Sequence, residues 1–119
     1  MMMVKATRSS EAGVLPTPDQ FATMRAYNDE LAKAGALVDL SGLRPTSEGA
    51  RIRFREGKKT VQSGPFAFTG ETVSGYWIID APSPEAAMEW AMKAPDPSFG
   101  GEGEIELRRF FAPEDFASD

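Results

Sequence analysis

Val73 to Asp80 contains the feature that most limits what this chain can become. Tyr76-Trp77-Ile78-Ile79 puts large apolar side chains on both faces of a single predicted strand. Alternate strand residues face opposite ways, so such a run needs cover on both sides. Around it, the chain offers only two segments that read as long helices. Thr17-Pro18-Asp19-Gln20 is a capping-box signature, with a hydroxyl at the cap, proline first in the helix and glutamine three residues on. Phe21, Met24, Asn28 and Leu31 follow at helical spacing up to Gly35, which predicts a helix over 18–34. Ser83-Pro84-Glu85 opens the second helix, Ala87, Trp90, Ala91 and Ala94 form its apolar stripe, and Pro95 stops it.

The remaining segments read as strands and turns. A short strand is expected over 3–7, followed by a loop at Ser9 to Gly13. Another strand spans 36–40 and is broken by Ser41-Gly42. Arg51 to Arg55 alternates with period two, and 59–62 returns after a hairpin loop at 56–59. Glu104 to Arg108 is the last strand. The order favours an α+β fold, with two helices on one face of a mostly antiparallel sheet of four or five strands. Two helices cover one face only, so one side of Tyr76-Trp77-Ile78-Ile79 would meet water, and the expected remedy is a homodimer.

Composition removes whole classes of chemistry. A chain of 119 residues fits one domain, expected over 1–111 and followed by an acidic tail at 112–119. Cysteine and histidine are both absent. Disulfides, thiolate nucleophiles, the commonest metal ligands and the commonest acid–base group near neutrality go with them. Thirteen cations against eighteen acids leave −5, which disfavours a nucleic-acid partner. No apolar run reaches the ~18–20 residues that cross a bilayer, and no secretory pattern opens the sequence. The expectation is a cytoplasmic protein without a membrane partner, a metal or a cofactor.

Ser63-Gly64-Pro65-Phe66-Ala67-Phe68-Thr69-Gly70-Glu71 resembles the DGPFAETKE signature of the YCII-related (DGPF-domain) family. The resemblance extends to 34–46, to Gly75-Tyr76-Trp77-Ile78-Ile79-Asp80, to the helix at 83–95 and to the closing strand, and so covers most of residues 1–110. It implies a ferredoxin-like sheet that pairs into a dimeric α+β barrel, with small pockets between sheet and helices. Three signature positions depart, with Ser63 for Asp, Phe68 for Glu and Gly70 for Lys; Ser41 also stands where the family has Glu. The His–Asp pair proposed as catalytic in some members cannot exist here, because the chain has no histidine.

The candidate site residues follow from this loop and its neighbours. Gly64, Pro65 and Gly70 can hold backbone N–H groups and the Ser63 hydroxyl toward a small anion or carbonyl, or can build a rigid turn that plugs the core with Phe66 and Phe68. Glu71 and Asp39 are the candidate carboxylate bases; otherwise Glu71 hydrogen-bonds the loop backbone and Asp39 is a solvated or edge-strand acid. Arg53 lies with Arg51 and Arg55 on one strand face, to recognise a carboxylate or phosphate, or else as a solvent face or in bridges with Glu104 and Glu106. Tyr76 and Trp77 face opposite ways, one toward the core and one toward a partner or pocket. Two readings result. One is a small dimeric binding or accessory module for an apolar or carboxylate-bearing molecule. The other is a cofactor-free lyase or isomerase with a carboxylate base.

Overall fold

Six strands and three α-helices make up the computed structural model, which describes residues 1–116. They are β1 (Met2–Lys5), α1 (Arg8–Glu11), α2 (Pro18–Lys33), β2 (Leu37–Gly42), β3 (Ala50–Arg55), β4 (Lys58–Ser63), β5 (Val73–Ile79), α3 (Pro84–Lys93) and β6 (Ile105–Leu107). Residues 117–119 of the expected acidic tail lie outside this description. Four strands form one antiparallel sheet in the order β2-β5-β1-β6, while β3 and β4 pair only with each other.

Both long helices start as their sequences dictate. Thr17 accepts from the Gln20 amide and Gln20 returns a side-chain bond to the Thr17 amide. Ser83 accepts from the Ala86 amide, with Pro84 first in the helix. Each cap satisfies amides that no helical carbonyl can reach. Gly35, at φ +72°, lets the chain turn out of α2 directly into β2.

Register sorts the sheet into two faces. Met2 lies between Trp77 and Leu107, and Val4 between Gly75 and Ile105. These residues meet the helices. Tyr27 of α2 stands edge-on to Trp77 at 5.2 Å and to Trp90 of α3 at 6.3 Å, so one ring joins both helices to the sheet. Its hydroxyl donates to the Trp90 carbonyl at 2.7 Å, and the Trp77 indole N–H donates to Asn28 Oδ1 at 2.7 Å. No polar tip in this aromatic core is left without a partner. Burial pushes the Tyr27 phenol up to about 12, with the Glu30 charge adding to the shift. Met3, Tyr76 and Ile78 point the other way and stand outside the core cluster.

Two sequence expectations need correction, and the sheet takes the lower of the two expected strand numbers. Ser9 to Gly13 is not all loop, because α1 forms there on a second capping box between Thr7 and Ser10. Serine in place of Glu or Gln at the third helical position hid that signature. β2 does not break at Ser41-Gly42; its ladder with β5 continues to Gly42↔Gly75, and Pro45 ends it. The hairpin strands do not extend the main sheet. Pro45 and Pro65, which flank them, lack the N–H that a continuous ladder requires. The hairpin closes instead on Glu56 and Gly57, both in the left-handed region at φ +51° and +77°, as a two-residue turn demands.

Leu31 is wholly buried where α2 meets the sheet. Leu31→Ala is expected to cost about 2–5 kcal/mol in urea unfolding. A loss below ~1 kcal/mol would mean that this cluster does not hold the helix layer down.

Candidate functional site

The Ser63 to Glu71 loop is anchored by a chain of hydrogen bonds that starts in α1. Glu11 accepts from the Thr46 amide at 2.9 Å and from the Thr46 hydroxyl at 2.6 Å. The same hydroxyl oxygen accepts from the Phe66 amide at 3.1 Å. These bonds to Thr46 hold the Glu11 carboxyl below the usual carboxylate range. The short 3₁₀ turn Thr46–Glu48 is thereby fixed against the loop. Gly64 donates to the Gly49 carbonyl at 2.9 Å and precedes a cis peptide to Pro65. A Cβ on Gly64 would overlap the Thr46 carbonyl oxygen, so the two backbones touch as only glycine permits.

The loop aromatics do not plug the core. Phe66 and Phe68 are half-buried and outside the core cluster. Each lies under a guanidinium instead. Arg51 sits 3.9 Å above the Phe66 ring and Arg8 sits 4.8 Å above Phe68. Arginine stacks this way because its planar cation is weakly hydrated and the ring face is negative. Ser63 and Pro65 are exposed at the mouth of the loop.

The two candidate carboxylates have different surroundings. Glu71 is 73% exposed and reaches Lys5 Nζ at 2.9 Å. Asp39 is exposed on β2, accepts from the Leu40 amide at 2.9 Å and faces the Tyr76 hydroxyl at 3.4 Å. The two share no partner among the described residues. Trp77 is buried with its N–H satisfied, whereas Tyr76 is half-buried on the opposite face. Arg53 is exposed on the hairpin, 3.5 Å from Gln62 Oε1. The bridges from the hairpin arginines to Glu104 and Glu106 do not form among the described residues; Glu106 pairs instead with Lys5 and Arg108, each at 3.2 Å.

Sequence reasoning undervalued Lys5. It ends an otherwise apolar strand, is only 6% exposed, and holds Glu71 and Glu106 at once. A lysine is almost never buried without such partners, and a lysine closing the apolar run Met2-Met3-Val4 was the available signal; the register sets Glu106 opposite Met3, within reach of Lys5. Donating to Glu71 and then to Glu106 raises the Lys5 pKa. The bond from Lys5, followed by that from Arg108, lowers Glu106. The lysine is thus a fixed cation, and neither Lys5 nor Glu106 is poised to exchange a proton near neutrality. No cluster of three or more acids fit to hold a metal occurs among the described residues.

These shifts set a pH dependence. Glu106, depressed in the fold, contributes stability above about pH 4.5 that is lost as the pH falls through its folded value. Lys5, raised in the fold, contributes below about pH 10.5 and is lost as the pH climbs through its folded value. Lys5→Met is expected to lower Tm at pH 7 and to flatten both limbs of a Tm–pH profile. Limbs as steep as those of the wild type would contradict this assignment. Gly64→Ala is expected to lower Tm as well and to perturb the Phe66 amide resonance, and an unshifted amide would rule out the close approach.

Comparison with known proteins adds family and little else. The family model described as the YCII-related domain matches residues 1–111. An uncharacterised protein of Rhizobium meliloti (strain 1021) is 36% identical over 73 residues, which is 61% of this chain. The match covers 56% of that relative, so the chain spans little more than half its length.

Proposed function

The chain belongs to the YCII-related family, and we propose that it works as a homodimeric small-molecule-binding or accessory module, in which two ferredoxin-like subunits close a dimeric α+β barrel. The strand order supports the subunit reading. Among the four sheet strands it runs second, third, first, fourth, with a long helix after the first and another after the third.

The observation that carries the dimer is surface. A folded monomer of this mass exposes about 6,300 Å². This chain exposes 8858 Å². The surplus of roughly 2,500 Å² is well above the ~800 Å² each partner gives to an ordinary stable interface. The radius of gyration is 16.7 Å, against about 13.5 Å for a compact chain of this length. Met3, Tyr76 and Ile78, on the sheet face opposite the helices, are the natural centre of the contact.

The loop supports a ligand with an apolar body and a carboxylate. Phe66 and Phe68 offer ring faces, and Arg51 and Arg8 offer guanidinium forks beside them. Binding fits this geometry better than proton transfer, since Glu71 stands in solvent on a fixed cation. A cytoplasmic location accords with the composition. No described helix is long and apolar enough to cross a membrane.

Light scattering on an eluting peak is expected to give twice the 12.9 kDa chain mass at low micromolar concentration. Ile78→Asp is expected to give the single-chain mass with helical circular dichroism retained. A single-chain mass for the wild type at every concentration overturns the dimer. Thermal-shift screening of aromatic and keto acids is expected to find a stabilising ligand whose effect Arg8→Ala and Arg51→Ala abolish. Equal shifts in wild type and variants would remove the loop from the site.

A further inference from the structure

Every residue of β3 and β4 is exposed. Such a hairpin is marginal in water unless something covers it. Its register divides it into two unlike faces. Ile52 is opposite Val61, and Phe54 is opposite Lys59. Ile52 is 57% exposed, Val61 69% and Phe54 72%, which makes a bare apolar stripe. On the other face Arg51, Arg53 and Arg55 are opposite Gln62, Thr60 and Lys58.

Charge is divided as sharply. Residues 50–63 hold five cations, Arg51, Arg53, Arg55, Lys58 and Lys59, against one acid, Glu56. The rest of the chain holds eight cations and seventeen acids, so an arm of +4 is attached to a body of −9. The body's acids do not take up the arm's cations: among the described residues the salt bridges involve Lys5, Arg44 and Arg108, and no hairpin cation.

We propose that the β3–β4 hairpin is an exchanged arm, which leaves its own subunit and clasps the acid-rich body of a second copy with its apolar stripe inward. The proposal rests on the homodimer reading and adds to it a second contact, separate from the open sheet face. Two such arms let each −9 body receive the +4 of its partner, which lowers the repulsion that two acidic chains otherwise meet on approach. The apolar stripe accounts for part of the surplus surface. A second copy fits better than a polyanion, because the body repels nucleic acid and a phosphate backbone leaves Ile52, Phe54 and Val61 uncovered.

The absence of cysteine makes the test clean. Lys59→Cys, on the stripe face opposite Phe54, carries the one thiol in the full chain, and a benzophenone attached there cross-links whatever lies beneath the arm. With equal ¹⁴N- and ¹⁵N-labelled chains mixed, the expected cross-links are intermolecular and end on body residues. Alongside, sedimentation equilibrium compares wild type with Ile52→Ser/Phe54→Ser/Val61→Ser and with Arg51→Glu/Arg53→Glu/Arg55→Glu. Each triple is expected to weaken the dimer by about tenfold or more, while R51K/R53K/R55K stays near wild type. These positions are exposed, and circular dichroism checks that each variant folds. Intramolecular cross-links with unchanged dimer constants overturn the arm and leave the homodimer standing. A wild-type monomer overturns both. A hairpin that binds single-stranded RNA and adds nothing to self-association also overturns the arm.

Discussion

A strand that is apolar on both sides needs two covers, and this chain completes one: Trp77 is buried, while Tyr76 and Ile78 are left half-buried. On one side of β5, Trp77 lies beneath α2 and α3 through the ring of Tyr27, and every polar tip in that contact is satisfied. On the other side, Tyr76 and Ile78 are half-buried and stand outside the core cluster. The core is accordingly small. Among the described residues seven hydrophobic ones are buried, while Phe54, Val61, Phe110, Phe111 and Phe116 stay largely exposed. Such a chain gains less from folding alone than its length would allow, and the missing share is available to a partner.

The signature loop is held in place by electrostatics rather than by core packing. Glu11 fixes Thr46, Thr46 fixes Phe66, and Lys5 ties Glu71 to Glu106. The shifts resolved in this network leave Lys5 and Glu106 charged over a wide pH range around neutrality. A site of this kind presents fixed charge and ring faces. That suits recognition of an anion on an apolar frame more than it suits acid–base turnover.

Local signals with one physical meaning were legible in the sequence. Thr17-Pro18 and Ser83-Pro84 located both long helices, and the two-sided strand located the centre of the sheet. Apart from one local cap, what the sequence left unread depended on distant partners or on the absence of partners. α1 forms on a Thr7–Ser10 cap whose third residue lacks the usual side chain. The independence of the hairpin follows from missing donors at Pro45 and Pro65, which no periodicity count registers. Phe66 and Phe68 looked like core residues because their arginines, Arg51 and Arg8, are remote in sequence. Lys5 looked like the end of a strand until Glu71 and Glu106 converged on it from two other segments.

The claim on which the rest depends is that folding and pairing are one process. The concentration dependence of thermal unfolding tests it most directly. If a second copy completes the cover of the half-buried face of β5, mass action ties the midpoint to protein concentration, and Tm rises steadily across about a hundredfold range. A midpoint that stays fixed over that range, with a cooperative transition, would show that the single chain is stable with Tyr76 and Ile78 only half-buried, and would contradict the account.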